Sequence, residues 1–248
     1  KWRMNLLSTG RTPNTVNRIY TNFRASLTKA EEWGLIETHP LSKMKPLKTP
    51  ENTRVRYLSK DEERRLRQAL DIREARKMAE RESANEWRRE RGYPLFPSSG
   101  ELTFIDHIKP MIIISMNTGM RQGELFKLKW ANVNFEMKLL TVVGASAKSG
   151  KIRHIPLNSE ALDVLAKWKQ QQISLSSHVF SNKDGRAFKD VKKGWAKTLK
   201  SAEVVDFRWH DLRHHFASKL VMAGVNLNTV RELLGHANYA MTLRYAHL

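Results

Sequence analysis

Two arginines, two histidines and a tyrosine, spread between positions 121 and 245, form a set able to attack a phosphodiester without a metal ion. Arg121 sits in TGMRQGE at 118–124, His210 and Arg213 share HDLR at 210–213, and His236 and Tyr245 lie in GHANYAMTLRY at 235–245. Arginine suits phosphoryl transfer because its fork is permanently charged and can bind two oxygens at once. His210 and Arg213 are three apart on an expected helix, so both project from one face. A tyrosine that attacks phosphorus leaves a covalent phosphotyrosine and keeps the bond energy for rejoining. Lys148, in the turn AKSG at 147–150 between two expected strands, suits protonation of a leaving oxygen. Glu124, one turn after Arg121, suits pairing with an arginine to hold its geometry. Each residue also has an ordinary reading: an exposed ion pair, a hairpin lysine facing water, a tyrosine packed as an amphipathic side chain.

The totals say which partner such a set would meet. Among 248 residues, 44 Lys and Arg oppose 25 Asp and Glu, a formal charge of +19. That excess favours a polyanion, most often nucleic acid; a ribosome-associated or membrane-surface protein is the alternative. With 40% hydrophobic residues and seven Trp, the chain is not a disordered basic tail. The lack of cysteine excludes a disulfide framework and thiolate metal sites, and fits a reducing cytoplasm. The richest apolar run, 110–116, is too short to span a bilayer. Lys1 lies in a charged stretch with no signal-peptide pattern and reads as a start inside a longer protein.

The positioning elements are mostly helical. Thr12 and Pro13 open a helix, with Val16, Ile19, Tyr20, Phe23, Leu27, Ala30 and Trp33 at helical spacing and a stop near Gly34. One amphipathic helix cannot bury its own stripe, so this segment belongs to a larger helical module. Residues 45–56, with two prolines and several charges, read as an interdomain linker. Ser59 to Glu62 is a capping box opening a second domain, and 71–91 continues as an exposed helix laced with Arg–Glu pairs. A buried helix is expected over 104–116 and a short one over 121–128. Strands at 132–135, 139–143 and 152–155 then make an antiparallel meander. From 159 onward all is helical: 159–172, 189–201, 210–223, 228–234 and 238–247. The fold class is mainly α with a small antiparallel β-meander (α+β).

Taken together, these words are far more specific than any one of them. TGMRQGEL, AKSGKIRHIPL, HDLRHHFAS and LLGHANYAMTLRYAHL, in that order, resemble the motifs of the tyrosine recombinases, the phage integrase family, from about Tyr57 to Leu248. The resemblance implies a partial helical core-binding (DNA-binding) domain at 1–45, a linker at 46–56 and a catalytic domain at 57–248. It implies that Arg121 and Arg213 clamp the scissile phosphate with His236 as a third donor, and that Tyr245 is the nucleophile. Lys148 would be the general acid, His210 would assist proton transfer and Glu124 would support. The implied reaction is site-specific DNA breakage and rejoining through a 3′-phosphotyrosyl link, for integration or excision of a mobile element. It calls for neither metal nor nucleotide cofactor. The implied partners are double-stranded DNA at specific recombination sites, a homo-tetramer on that DNA and DNA-bending accessory proteins, with no membrane. The expected location is the cytoplasm, on the bacterial nucleoid when DNA is bound. The family usually continues past the tyrosine into a helix that docks on a neighbouring protomer, whereas this sequence ends three residues after Tyr245.

Rival readings differ in chemistry. His210, Asp211, His214, His215 and His236 suggest a metal-dependent phosphohydrolase of the HD type, although their spacing is a poor ligand pattern. His214 and His215 read instead as packing or DNA-facing residues. A non-enzymatic DNA-binding protein would use the basic helices only to grip phosphates. A type IB topoisomerase would share the tyrosine chemistry but rejoin the same strand.

Overall fold

The computed structural model describes residues 1–49, 55–98, 100, 102–144, 152–172 and 176–248. The chain divides into two compact units, Lys1–Arg54 and Val55–Leu248. In the first, α1 (Trp2–Ser8) packs on α2 (Pro13–Glu32). Thr12 Oγ1 accepts from the Thr15 amide at 3.3 Å, with Pro13 at the first helical position, where its missing N–H costs nothing. Val16 and Tyr20 are buried, but Phe23 and Trp33 stay 52% and 71% exposed. The expected stripe is therefore only half covered within this unit. Asn17 ties down the chain that follows, bonding both the N–H and the carbonyl of Leu47 at 2.8 Å.

The second unit opens on α3 (Lys60–Glu90), where the expected capping box forms. Ser59 Oγ accepts from the Glu62 amide at 3.1 Å and Glu62 Oε2 accepts from the Ser59 amide at 2.9 Å. Leu66, Ala69 and Leu70 face the core, and the outer half of the helix carries ion pairs such as Arg76–Glu80 at 3.5 Å. α4 (Ile108–Thr118) starts later than the apolar pattern predicts, because other groups claim the preceding backbone. Gln171 bonds the Phe104 N–H at 2.9 Å and its carbonyl at 2.7 Å, Glu74 takes the Ile105 N–H at 2.6 Å, and Asp106 accepts from the Ile108 amide at 3.0 Å. Once started, α4 is buried almost all round and packs on both α6 (Ser159–Gln171) and α8 (Asp211–Met222). It is the core rod of the unit.

After α5 (Gln122–Phe126), strands β1 (Val133–Asn134), β2 (Leu139–Val142) and β3 (Arg153–Pro156) form an antiparallel sheet in that order. Leu140 pairs with Ile155 and Val142 with Arg153, and all four are buried. α7 (Lys192–Ser201) starts three residues later than expected, and the segment before it is irregular. It carries the isolated bridges Lys129–His178 and Ser181–Ala187, and Asp190 caps α7 by accepting from the Lys192 amide at 3.2 Å. α9 (Leu227–Leu234) follows α8, and α10 (Ala240–Leu243) is a single turn where a ten-residue helix was expected. The chain is thus mainly helical with a small three-stranded antiparallel sheet. Among the described residues, no helix is long and apolar enough to cross a membrane.

Gly119 ends α4 at φ +59°, and a Cβ there would lie 2.4 Å from Phe216 Cδ1. Both the left-handed backbone and the close approach require glycine. Gly123, in α5, has open space around it. Gly119→Ala is expected to lose about 2–4 kcal/mol in urea unfolding, from strain plus overpacking, and Gly123→Ala to be neutral or slightly stabilising. Equal effects would show that the α4–α8 approach does not constrain the fold.

Candidate active site

The first side chains converge on one carboxylate. Glu124, on α5, is 2% exposed. Its Oε2 accepts from the Arg121 amide at 2.8 Å and its Oε1 from Arg121 Nη1 at 2.9 Å. Arg153, on β3, adds a second fork, at 3.2 Å to Oε1 and 2.6 Å to Oε2. Burial pushes the Glu124 carboxyl up, but the Arg153 and Arg121 bonds outweigh it and hold its pKa below the ordinary value. Arg153 also donates from Nε to the Leu233 carbonyl at 2.9 Å, so β3 is tied to the end of α9. A Cβ on Gly235, which stands at φ +64°, would come within 2.9 Å of Arg153 Cδ. Sequence reasoning did not single out Arg153. Its signal was strand alternation: Arg153 shares a face with Ile155, and an arginine on a core face must have a partner.

Arg213 is 2% exposed and binds two carbonyls. Nη1 donates to Gly119 at 2.9 Å and Nη2 donates to Leu234. It therefore joins the ends of α4 and α9 through α8. Burial, helped by the charges of Arg121 and Arg153, lowers its pKa to about 9, which still leaves it protonated at neutral pH. His210 stands just ahead of α8, at its N-cap, and not inside the helix as expected. Asp211 is committed to capping, accepting from the Arg208 amide at 2.7 Å. His215 faces the other way, its Nε2 lying 3.4 Å from Glu63 of α3. Among the described residues, no group of three or more His, Asp or Glu is arranged to hold a metal ion.

The tail completes the cluster. His236 Nδ1 and Thr242 Oγ1 share a hydrogen bond of 2.9 Å. Burial first, then Arg213 and Arg121, pushes the His236 pKa down to about 3. Tyr245 is 1% exposed and packs with Phe216, Ala217, Val230 and Leu234. Its hydroxyl is hydrogen-bonded to His214 Nδ1 at 2.6 Å. Burial raises the phenol to about 12, against the opposing pull of Arg213 and Arg244. Burial and neighbouring His210 lower the His214 pKa to about 4. His214 is thus neither a generic packing residue nor a DNA-facing one; its spacing of four from His210, on the Arg213 side of α8, was the available signal. Arg244 was also missed. Its Nε is buried without a hydrogen-bond partner among the described residues. His210, Arg213, His236 and Tyr245 therefore share one electrostatic environment, each feeling Arg213 or Arg121. Lys148 lies outside the described residues.

Two neutral histidines, His214 buried and His236 half-buried, have a consequence for acid stability. Unfolded, each protonates near the ordinary 6.5; folded, His214 resists until about 4 and His236 until about 3. As pH falls from about 6.5 towards 4 the unfolded chain binds more protons, so stability drops. The Tm is expected to decline across that window, and less steeply in His236→Gln. A variant with the wild-type slope would contradict this assignment.

Comparison with known proteins places this arrangement. Residues 104–248 match the phage integrase family. The integrase of Salmonella phage P22 is 27% identical over 236 residues, covering 91% of this chain and 51% of that protein. Tyrosine recombinase XerC of Xanthomonas campestris pv. campestris (strain B100) is 27% identical over 251 residues, 96% of this chain and 65% of that protein. The chain thus spans between half and two thirds of the length of these relatives. Among solved structures, the Tn1549 transposon integrase in complex with a circular intermediate DNA aligns with a TM-score of 0.68 at 17% identity, over 98% of this chain and 78% of that one. XerH site-specific recombinase bound to a palindromic difH substrate aligns with a TM-score of 0.69 at 18% identity, over 98% and 66%. These two likenesses establish the fold. Since the family match takes in more than half of its residues, the chain belongs to the phage integrase family.

Proposed function

We propose that this chain carries the catalytic part of a tyrosine-type site-specific DNA recombinase, which cuts and rejoins DNA through a covalent 3′-phosphotyrosyl intermediate. One observation carries the reading. Three guanidiniums, Arg121, Arg153 and Arg213, surround the single carboxylate of Glu124, beside a buried tyrosine. Among the described residues this net positive charge lacks a balancing anion, and a phosphodiester supplies one. Arg121 and Arg213 hold its non-bridging oxygens and stabilise the charge that develops in the transition state. In the tautomer that accepts from Thr242 at His236 Nδ1, Nε2 carries the proton and donates to the same phosphate. Tyr245 attacks, His210 assists proton transfer, Lys148 protonates the departing 5′-oxygen, and Glu124 orients Arg121.

The wider assembly follows from the reaction. Reciprocal exchange needs four active sites, so a homo-tetramer acts on two duplexes, with bending proteins as accessory partners. The role is integration or excision of a mobile element, performed in the cytoplasm on nucleoid DNA. The Tn1549 integrase in complex with DNA and XerH bound to its difH substrate support DNA as the partner. The +19 charge supports steeply salt-dependent binding.

Tyr245→Phe should abolish denaturant-resistant protein–DNA adducts on a nicked duplex from the DNA flanking the gene, in excess chelator, while gel-shift binding persists. Adducts at the wild-type level would rule out Tyr245 as nucleophile. Arg121→Ala should slow adduct formation by about 100-fold or more, on the order of 3 kcal/mol for a preorganised donor. A near-normal rate would remove Arg121 from the clamp.

A further inference from the structure

We propose that His214 is a catalytic residue of this site, the group that holds the Tyr245 hydroxyl and takes its proton during attack. The inference rests on the recombinase reading and adds a residue which that reading leaves out. A phenol attacking phosphorus must lose its proton, and the acceptor has to lie within hydrogen-bond reach. His210 is the residue the motif nominates, yet the hydrogen bond described at the Tyr245 hydroxyl is with His214, 2.6 Å from Nδ1. Both partners are buried, His214 at 8% and Tyr245 at 1% exposure, so bulk water is a poor competitor for this proton. The rings touch in series: His210 meets His214 edge-on at 5.3 Å between centroids, and His214 meets Tyr245 at 5.8 Å.

The step balances. Tyr245 Oη forms a bond to phosphorus as the P–O5′ bond breaks. The Oη proton passes to His214 Nδ1, and the departing 5′-oxygen takes a proton from the general acid. On rejoining, the 5′-hydroxyl returns its proton to the general acid as it attacks, the Oη–P bond breaks, and His214 returns its proton to Tyr245. His210, Asp211 and Arg213 around α8 and Arg244 beside Tyr245 set the charge at His214. Burial and the cationic groups among these keep it neutral at physiological pH, with a ring nitrogen open to accept. Arrival of the phosphate adds negative charge beside it and strengthens it as a base at the moment of attack.

Two measurements test this. In the free protein, a long-range proton–nitrogen spectrum should show His214 protonated at Nε2 only, with its Nδ1 shift displaced in Tyr245→Phe. A proton on Nδ1, or no displacement, overturns the proposal without any DNA. On the nicked flanking duplex, His214→Ala should form adduct at least about 100-fold more slowly at pH 7, the scale of general-base catalysis. Its rate should then climb about tenfold per pH unit towards pH 10 as hydroxide replaces the missing base, while the wild-type rate stays nearly level. His214→Asn, whose Oδ1 can accept a hydrogen bond but not carry a proton away, should be as slow as His214→Ala at pH 7. A wild-type rate in His214→Asn, or a pH-independent deficit in His214→Ala, reduces His214 to packing and overturns the proposal alone. No adduct from the wild-type chain overturns the recombinase reading itself, and this proposal with it.

Discussion

The buried guanidinium of Arg213 is the constraint on which the catalytic unit depends. Two of its donors are spent on the carbonyls of Gly119 and Leu234, the C-terminal ends of α4 and α9. Helix C-termini present carbonyls with no intrahelical partner and carry partial negative charge, so a cation is favoured there twice over. Arg153 repeats the device one residue earlier, on the Leu233 carbonyl. Two arginines from different elements thus pin the end of α9, and with it the turn that delivers His236. The glycines at 119 and 235 are the price of that closeness, since each lies at positive φ against a neighbouring side chain. Structure and chemistry therefore use the same cations: the groups proposed to meet phosphate are those that hold the elements together.

Tyr245 shows the same economy from the apolar side. Its ring belongs to a small cluster with Phe216, Val230 and Leu234, separate from the main core around α4. That cluster joins α8 to α9 and fixes the tail, although α10 itself is too short to be stable alone. Burying the ring raises the phenol to about 12, which keeps a potential nucleophile protonated and quiet in the absence of substrate. The two nearby arginines pull the other way, but burial outweighs them, so the proton leaves only when an acceptor takes it.

Much of this was legible in the sequence, for stated reasons. The capping box at Ser59, the buried rod of α4 and the alternating strands at 139 and 153 are local patterns, and they form where the pattern puts them. The misses come from contacts between distant residues. Residues 104–107 are apolar enough to continue a helix, but Gln171 and Glu74 capture their backbone from 67 and 31 residues away. Arg153 and His214 sit beside named motif residues yet gain their meaning only from Glu124 and Tyr245, 29 and 31 positions distant. Spacing reveals which residues share a face; it does not reveal what that face meets.

Charge balance distinguishes the site from the structural ion pairs around it. Arg67 is shared between Glu63 and Glu160, and Arg73 lies against both Glu74 and Asp106. In these networks acids match or outnumber the arginine, and each buried charge finds its neutraliser within the fold, as desolvation demands. Around Glu124 the ratio is reversed, with Arg121, Arg153 and Arg213 facing one carboxylate and Arg244 close by. A fold selected only for stability would add an acid there, because unpaired buried cations are costly. Keeping the excess makes sense where an external anion completes the set: burial first, then the charges of Arg121 and Arg153, lower the pKa of Arg213, and such an anion would relieve the repulsive part.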